Sequence, residues 1–98
     1  MAAGRITTIR TYQVDMPLAG QEYTFVVPAG AMGILLQPQS ANDIWLAFEV
    51  GKSGTDYWTI RQPPARPFEM RDLDLQRDLT LYFQAASPGG KLEVMVLF

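Results

Sequence analysis

Apolar and polar residues alternate along most of the chain with the two-residue period that is typical of β-strands. The clearest case is residues 44–50, in which every second residue from Ile44 to Val50 is apolar and is predicted to face inward. The same analysis predicts about eight strands, over residues 5–16, 21–27, 32–37, 44–50, 55–60, 68–75, 79–83 and 91–98.

Clusters of glycine and proline separate these segments, and no stretch between them carries an apolar stripe at helical spacing. The pattern therefore predicts an all-β protein: a single-domain antiparallel β-sandwich, jelly-roll-like, with about eight strands. The short turn at 18–20 predicts a hairpin between the first two strands. Ile9 breaks the alternation of the first strand, which predicts a bulge there or a strand that serves both sheets.

Length and composition limit what the protein does. A chain of 98 residues has room for one modest core, so we expect one domain over 6–98 and a flexible N-terminal arm over 1–5. The net charge of −2 favours neither nucleic acid nor an anionic membrane. The absence of histidine and cysteine excludes imidazole and thiolate metal sites and histidine-dependent catalysis. We therefore expect no enzyme, no metal and no cofactor.

One segment imitates a metal site. Asp72, Asp74 and Gln76 place oxygen ligands at positions one, three and five, as at the start of a calcium-binding loop. Arg77 stands where such a loop needs glycine, and Phe83 stands where it needs a bidentate glutamate. We interpret the segment instead as one that points Leu73 and Leu75 inward and its acids toward solvent.

Two strands are apolar on the face that should be solvated. In the strand over 44–50, Trp45 and Ala47 are predicted to face outward. In the last strand, Met95 and Leu97 are predicted to face outward. Strands that are apolar on both faces are usually covered on both faces. Either a loop of the same chain or sheet curvature covers these residues, or they contact further subunits. Because so small a domain has little spare chain, we favour the subunit contact.

Aromatic and arginine residues extend this prediction. Tyr57, Trp58 and Tyr82 could stack sugar rings, as could Trp45, but aromatics on strands are more often core or contact residues. Arg66 is one of four arginines that are interspersed with four acids between 61 and 78, which indicates ion pairs at an edge or between subunits. The predicted contact residues are Trp45, Ala47, Met95, Leu97, Tyr82 and Arg66.

Three stretches of the sequence stand out together. They are LAGQEY at 18–23 leading into VPAG at 27–30, GKSGTDY at 51–57, and LTLYFQ at 79–84 followed by SPGG at 87–90 and LEV at 92–94. In their order and spacing they resemble small virion proteins of tailed bacteriophages. The segment 63–67 departs from that pattern and is a candidate lattice-contacting loop.

The resemblance implies a capsid cement or decoration subunit on the outer surface of the phage head. It would be a homo-oligomer, with a trimer favoured, bound to the major capsid protein; made in the bacterial cytoplasm, it would be located on the capsid exterior. It implies no catalytic residues. Two alternatives stay open: a carbohydrate-binding module of a baseplate or fibre that uses Trp45 and Trp58, and a tail or head–tail connector subunit that assembles as a ring.

Overall fold

The computed structural model describes residues 8–39, 43–61 and 68–98, which form eight β-strands and no helix. None of the described residues therefore belongs to a helix that could span a membrane. The strands are β1 (Ile9–Met16), β2 (Tyr23–Val27), β3 (Gly33–Pro38), β4 (Ile44–Ala47), β5 (Trp58–Ile60), β6 (Phe68–Met70), β7 (Leu79–Ala85) and β8 (Gly90–Leu97).

The strands form two antiparallel sheets of four. The first sheet has the order β1-β8-β3-β6 and the second has the order β2-β7-β4-β5. The ladder pairs β1–β8, β2–β7, β3–β6 and β4–β5 are nested, as if one long hairpin had been rolled up. This nesting is the connectivity of a jelly roll, so the predicted β-sandwich is confirmed.

The core lies between the two sheets and is built by the alternation seen in the sequence. In the first sheet Ile34 pairs with Val96 and Leu36 pairs with Val94, and all four side chains are buried. Phe83 of β7 is the largest fully buried side chain on the opposite sheet. The inward-facing apolar residues of each strand therefore contact the other sheet. The outward-facing residues form the two outer faces of the sandwich.

The structure corrects two predictions about the first strands. The turn after Met16 does not close a hairpin, because β1 pairs with β8 and β2 pairs with β7 in the other sheet. The chain instead crosses between the sheets at this point. β1 also keeps one register with β8 from Ile9 to Met16, so it contains no bulge. Ile9 simply points to the outer face, where it is 60% exposed.

The strand predicted over 44–50 ends early, at Ala47. The chain turns there, with the Lys52 N–H bonded to the Glu49 carbonyl and Gly51 at a φ of 78°. Phe48 and Val50, which alternation placed in the core, are consequently exposed, Val50 by 73%. The strand predicted over 68–75 also ends early, but Leu73 and Leu75 do pack against the core as expected.

Candidate functional site

The predicted contact residues do not share one surface. Trp45 and Ala47 lie on the outer face of the second sheet, where Tyr82 of β7 is paired with Ala47. Met95 and Leu97 lie on the outer face of the first sheet, on the opposite side of the sandwich. Trp45 and Ala47 therefore cannot belong to the same surface patch as Met95 and Leu97. Arg66 and the segment 63–67, like the arm at 1–5, lie outside the described residues.

Part of the outer face of the second sheet is covered by residues 48–57, which connect β4 to β5 and which we call the covering loop. At its end, the Tyr57 ring stacks on Trp45 at 4.7 Å between ring centroids. In its middle, Gly54 lies so close to Gln84 of β7 that an added Cβ would be 2.9 Å from the Gln84 Nε2 atom. Ala47, the residue of β4 that precedes this loop, is 3% exposed.

Glu22 holds the covering loop at the far edge of the sheet. Its carboxylate accepts a hydrogen bond from the Ser53 Oγ–H at 2.6 Å and from the backbone N–H groups of Gly51 at 2.9 Å and Ser53 at 3.3 Å. The Ser53 hydroxyl and the Gly51 N–H together hold the pKa of Glu22 below its ordinary value, since they stabilise the ionised carboxylate. Ser53 itself is fully buried.

The part of this face around Trp45 and Ala47 is therefore covered by its own chain, whereas Val26 of β2 on the same face is 46% exposed. Ala47 has no surface left for a partner, and Trp45 is half-buried under Tyr57. The simpler explanation of the apolar outer residues, that a loop covers them, applies to the second sheet. Sequence reasoning missed the Glu22–Ser53 contact because 31 residues separate its two ends. The available signal was that both residues lie in stretches that carry the phage resemblance.

The outer face of the first sheet is different, because a contiguous apolar area lies open there. Ile9 of β1 pairs with Leu97 of β8, and Met95 of β8 pairs with Leu35 of β3. We call these four residues the outer patch. Met95 is 37% exposed, and Leu35 and Leu97 are half-buried. Among the described residues, no loop crosses this patch as the covering loop crosses the opposite face.

Met95 and Leu35 form a ridge between two depressions of this face. The larger, of about 920 Å³, is bounded by the 71–75 segment, which is fixed by the Leu73 N–H bond to the Met32 carbonyl. The smaller, of about 490 Å³, is lined by polar groups, among them Gln37, whose Nε2 donates to the Glu93 Oε1 at 2.8 Å. The outer patch is thus an apolar centre with a polar border on one side.

A second group of exposed apolar residues lies at the ends of the covering loop. Phe48 and Trp58 line a depression of about 350 Å³, and Trp58 is 64% exposed. The ion pair between Lys52 and Asp56, at 3.8 Å, lies on the same depression. The sequence identified Trp58 as a possible sugar platform but assigned Phe48 to the core.

The fold and these surfaces define a small jelly-roll module in which one sheet face is partly covered by a loop and the other carries, among the described residues, the open outer patch. Across the described ranges, no three acidic side chains come together in a way that could hold a metal ion. Neither a protein-family model nor a curated protein sequence matches the chain. The phage resemblance accordingly remains a prediction.

Proposed function

We propose that the protein is a capsid cement subunit, which binds the outer surface of a tailed-phage head through the outer patch and stabilises it. The observation that carries this proposal is the contrast between the two sheet faces. On one face the covering loop packs over Trp45 and Ala47, whereas Ile9, Leu35, Met95 and Leu97 lie side by side on the other without such a loop among the described residues. Their apolar centre and polar border have the composition of a protein–protein interface.

The rigidity of the face supports the same proposal. All four residues of the outer patch lie on paired strands, so their positions are fixed before binding and little conformational entropy is lost on contact. A head surface repeats one site many times, and a homo-oligomer of this subunit would engage several sites at once. Linked contacts of modest individual affinity then give a stable attachment.

The direct test uses heads of the phage that encodes the chain, assembled without it. The purified protein, added back, should co-sediment with the heads in a saturable manner and raise the temperature at which they release DNA. Heads assembled without it and left without added protein are the control. Failure to co-sediment at any concentration would contradict the proposal.

The depression between Phe48 and Trp58 favours one other candidate function, carbohydrate binding. An exposed tryptophan ring beside a charged pair is a typical platform for a sugar ring. A glycan array with the wild-type protein and a W58A variant separates the two functions. The cement proposal predicts no glycan signal that depends on Trp58, and a monomer that binds sugars through Trp58 would overturn it.

A further inference from the structure

Among the described residues, no strand pairs with the outer edge of β1, which forms one long edge of the first sheet. Thr8 and Phe98 exchange both backbone hydrogen bonds, at 3.2 and 2.8 Å, so they form a hydrogen-bonded pair. In an antiparallel ladder such pairs alternate with non-hydrogen-bonded ones. The N–H and C=O groups of Arg10, Tyr12 and Val14 therefore point toward β8. Those of Ile9, Thr11, Gln13 and Asp15 point away from it, into the open edge.

This edge carries two charged residues, Arg10 and Asp15, but it lacks three other devices that protect edge strands from pairing with another strand. Natural proteins keep edge strands short, or place proline or bulges in them. β1 is eight residues long, contains no proline and keeps a continuous register. The other sheet edges among the described residues are shorter: β2 has five residues, and β5 and β6 have three each.

We propose that this edge pairs with the β1 edge of a second copy, antiparallel about a twofold axis that passes beside Tyr12. In that register Thr11 lies opposite Gln13 of the second copy, and Ile9 lies opposite its Asp15. All four open residues of each copy then take part, in four pairs of two hydrogen bonds, which gives eight bonds. A register shifted by two residues forms only three hydrogen-bonded pairs between the two copies.

The register also suits the side chains. Asp15 faces Ile9, and Arg10 faces Val14 of the second copy, so no two like charges lie directly opposite one another. The two first sheets join into one sheet of eight strands, and both outer patches lie on the same side of it. The pairing involves the edge of the sheet, whereas the proposed capsid contact involves its face, so it does not depend on that function.

Matched double variants test the register by sedimentation equilibrium. The two central pairs of the proposed dimer each join residue 11 of one copy to residue 13 of the other. In T11K/Q13K both pairs bring two ammonium groups together. In T11E/Q13K both pairs bring a carboxylate and an ammonium group together. Both variants keep the same Q13K change beside Glu93 of β8. We expect a dimeric wild type, at least a tenfold weaker association for T11K/Q13K and a dimeric T11E/Q13K. Equal behaviour of the two variants, a monomeric wild type or a trimeric one would overturn the proposal.

Amide hydrogen exchange gives a second readout that does not depend on a variant folding well. In the wild type, the N–H groups of residues 9, 11, 13 and 15 should become protected as the concentration rises and dimers form. Those of residues 10, 12 and 14 should be protected at every concentration, since they bond to β8. An oligomer in which the odd-numbered amides of β1 exchange quickly would show that it assembles through another surface.

Discussion

Replacing Met95 by lysine is expected to lower the affinity of the protein for phage heads by about 10- to 100-fold and to leave its fold intact. Met95 stands on the ridge of the outer patch, flanked by Thr11 on one side and Leu35 on the other. In a docked complex the M95K ammonium would be placed in an apolar contact without a partner, and burying such a charge is costly. Head binding measured by co-sedimentation over a protein concentration series gives the effect.

Two control variants separate loss of the contact from loss of the fold. Val26 is also an exposed, outward-facing apolar residue, but it lies on the second sheet. V26K therefore introduces the same lysine on the opposite side of the sandwich. M95L conserves apolar character and approximate volume. Both should bind heads as the wild type does. If V26K loses binding and M95K keeps it, the outer patch is not the contact surface.

Replacing Glu22 by alanine is expected to release the covering loop and to lower the free energy of unfolding by about 1–3 kcal/mol. The variant loses three hydrogen bonds to a carboxylate and leaves the buried Ser53 hydroxyl without its acceptor. S53A removes only the shortest of the three and should cost less. Urea unfolding measures both, and in a W58F background the fluorescence of Trp45 reports whether Tyr57 still stacks on it.

The same contact predicts a pH dependence. Because folding lowers the pKa of Glu22, the carboxylate contributes its full stabilisation above the pKa of an unfolded glutamate, about 4.3. That contribution is lost as the pH falls through the lower pKa of the folded state. The difference in stability between wild type and E22Q should therefore be constant near neutral pH and shrink below about pH 4. A difference that does not change with pH would show that ionisation of Glu22 does not hold the loop.

The strands and their inward faces could be predicted from the sequence because alternation is a local property. Residues such as Leu81, Phe83, Leu92 and Val94 are buried as their parity requires. The ends of strands were less certain, since alternation alone cannot show where a chain turns. Phe48 and Val50 continue the pattern of β4, yet the turn that leads to Gly51 removes them from the sheet.

The neighbours of each strand and the cover of each face could not be predicted, because both depend on distant residues. A short connection after Met16 fits a hairpin as well as it fits a crossing between sheets, and only the β1–β8 pairing decides. Likewise, Trp45 and Met95 break the alternation in the same way. Trp45 is covered by Tyr57 because the β4–β5 connection folds back over its sheet, whereas no connection within the described ranges does so over Met95.

In the proposed function, the outer patch is buried when the protein is bound to the phage head. Methionine oxidation of free and head-bound protein measures this directly, since Met95 is partly exposed whereas Met16 is fully buried and serves as the internal reference. We predict that Met95 oxidises several-fold more slowly on heads and that Trp58 oxidises equally fast in both states. Equal oxidation of Met95 in both states, with Trp58 protected on the head, would contradict the account.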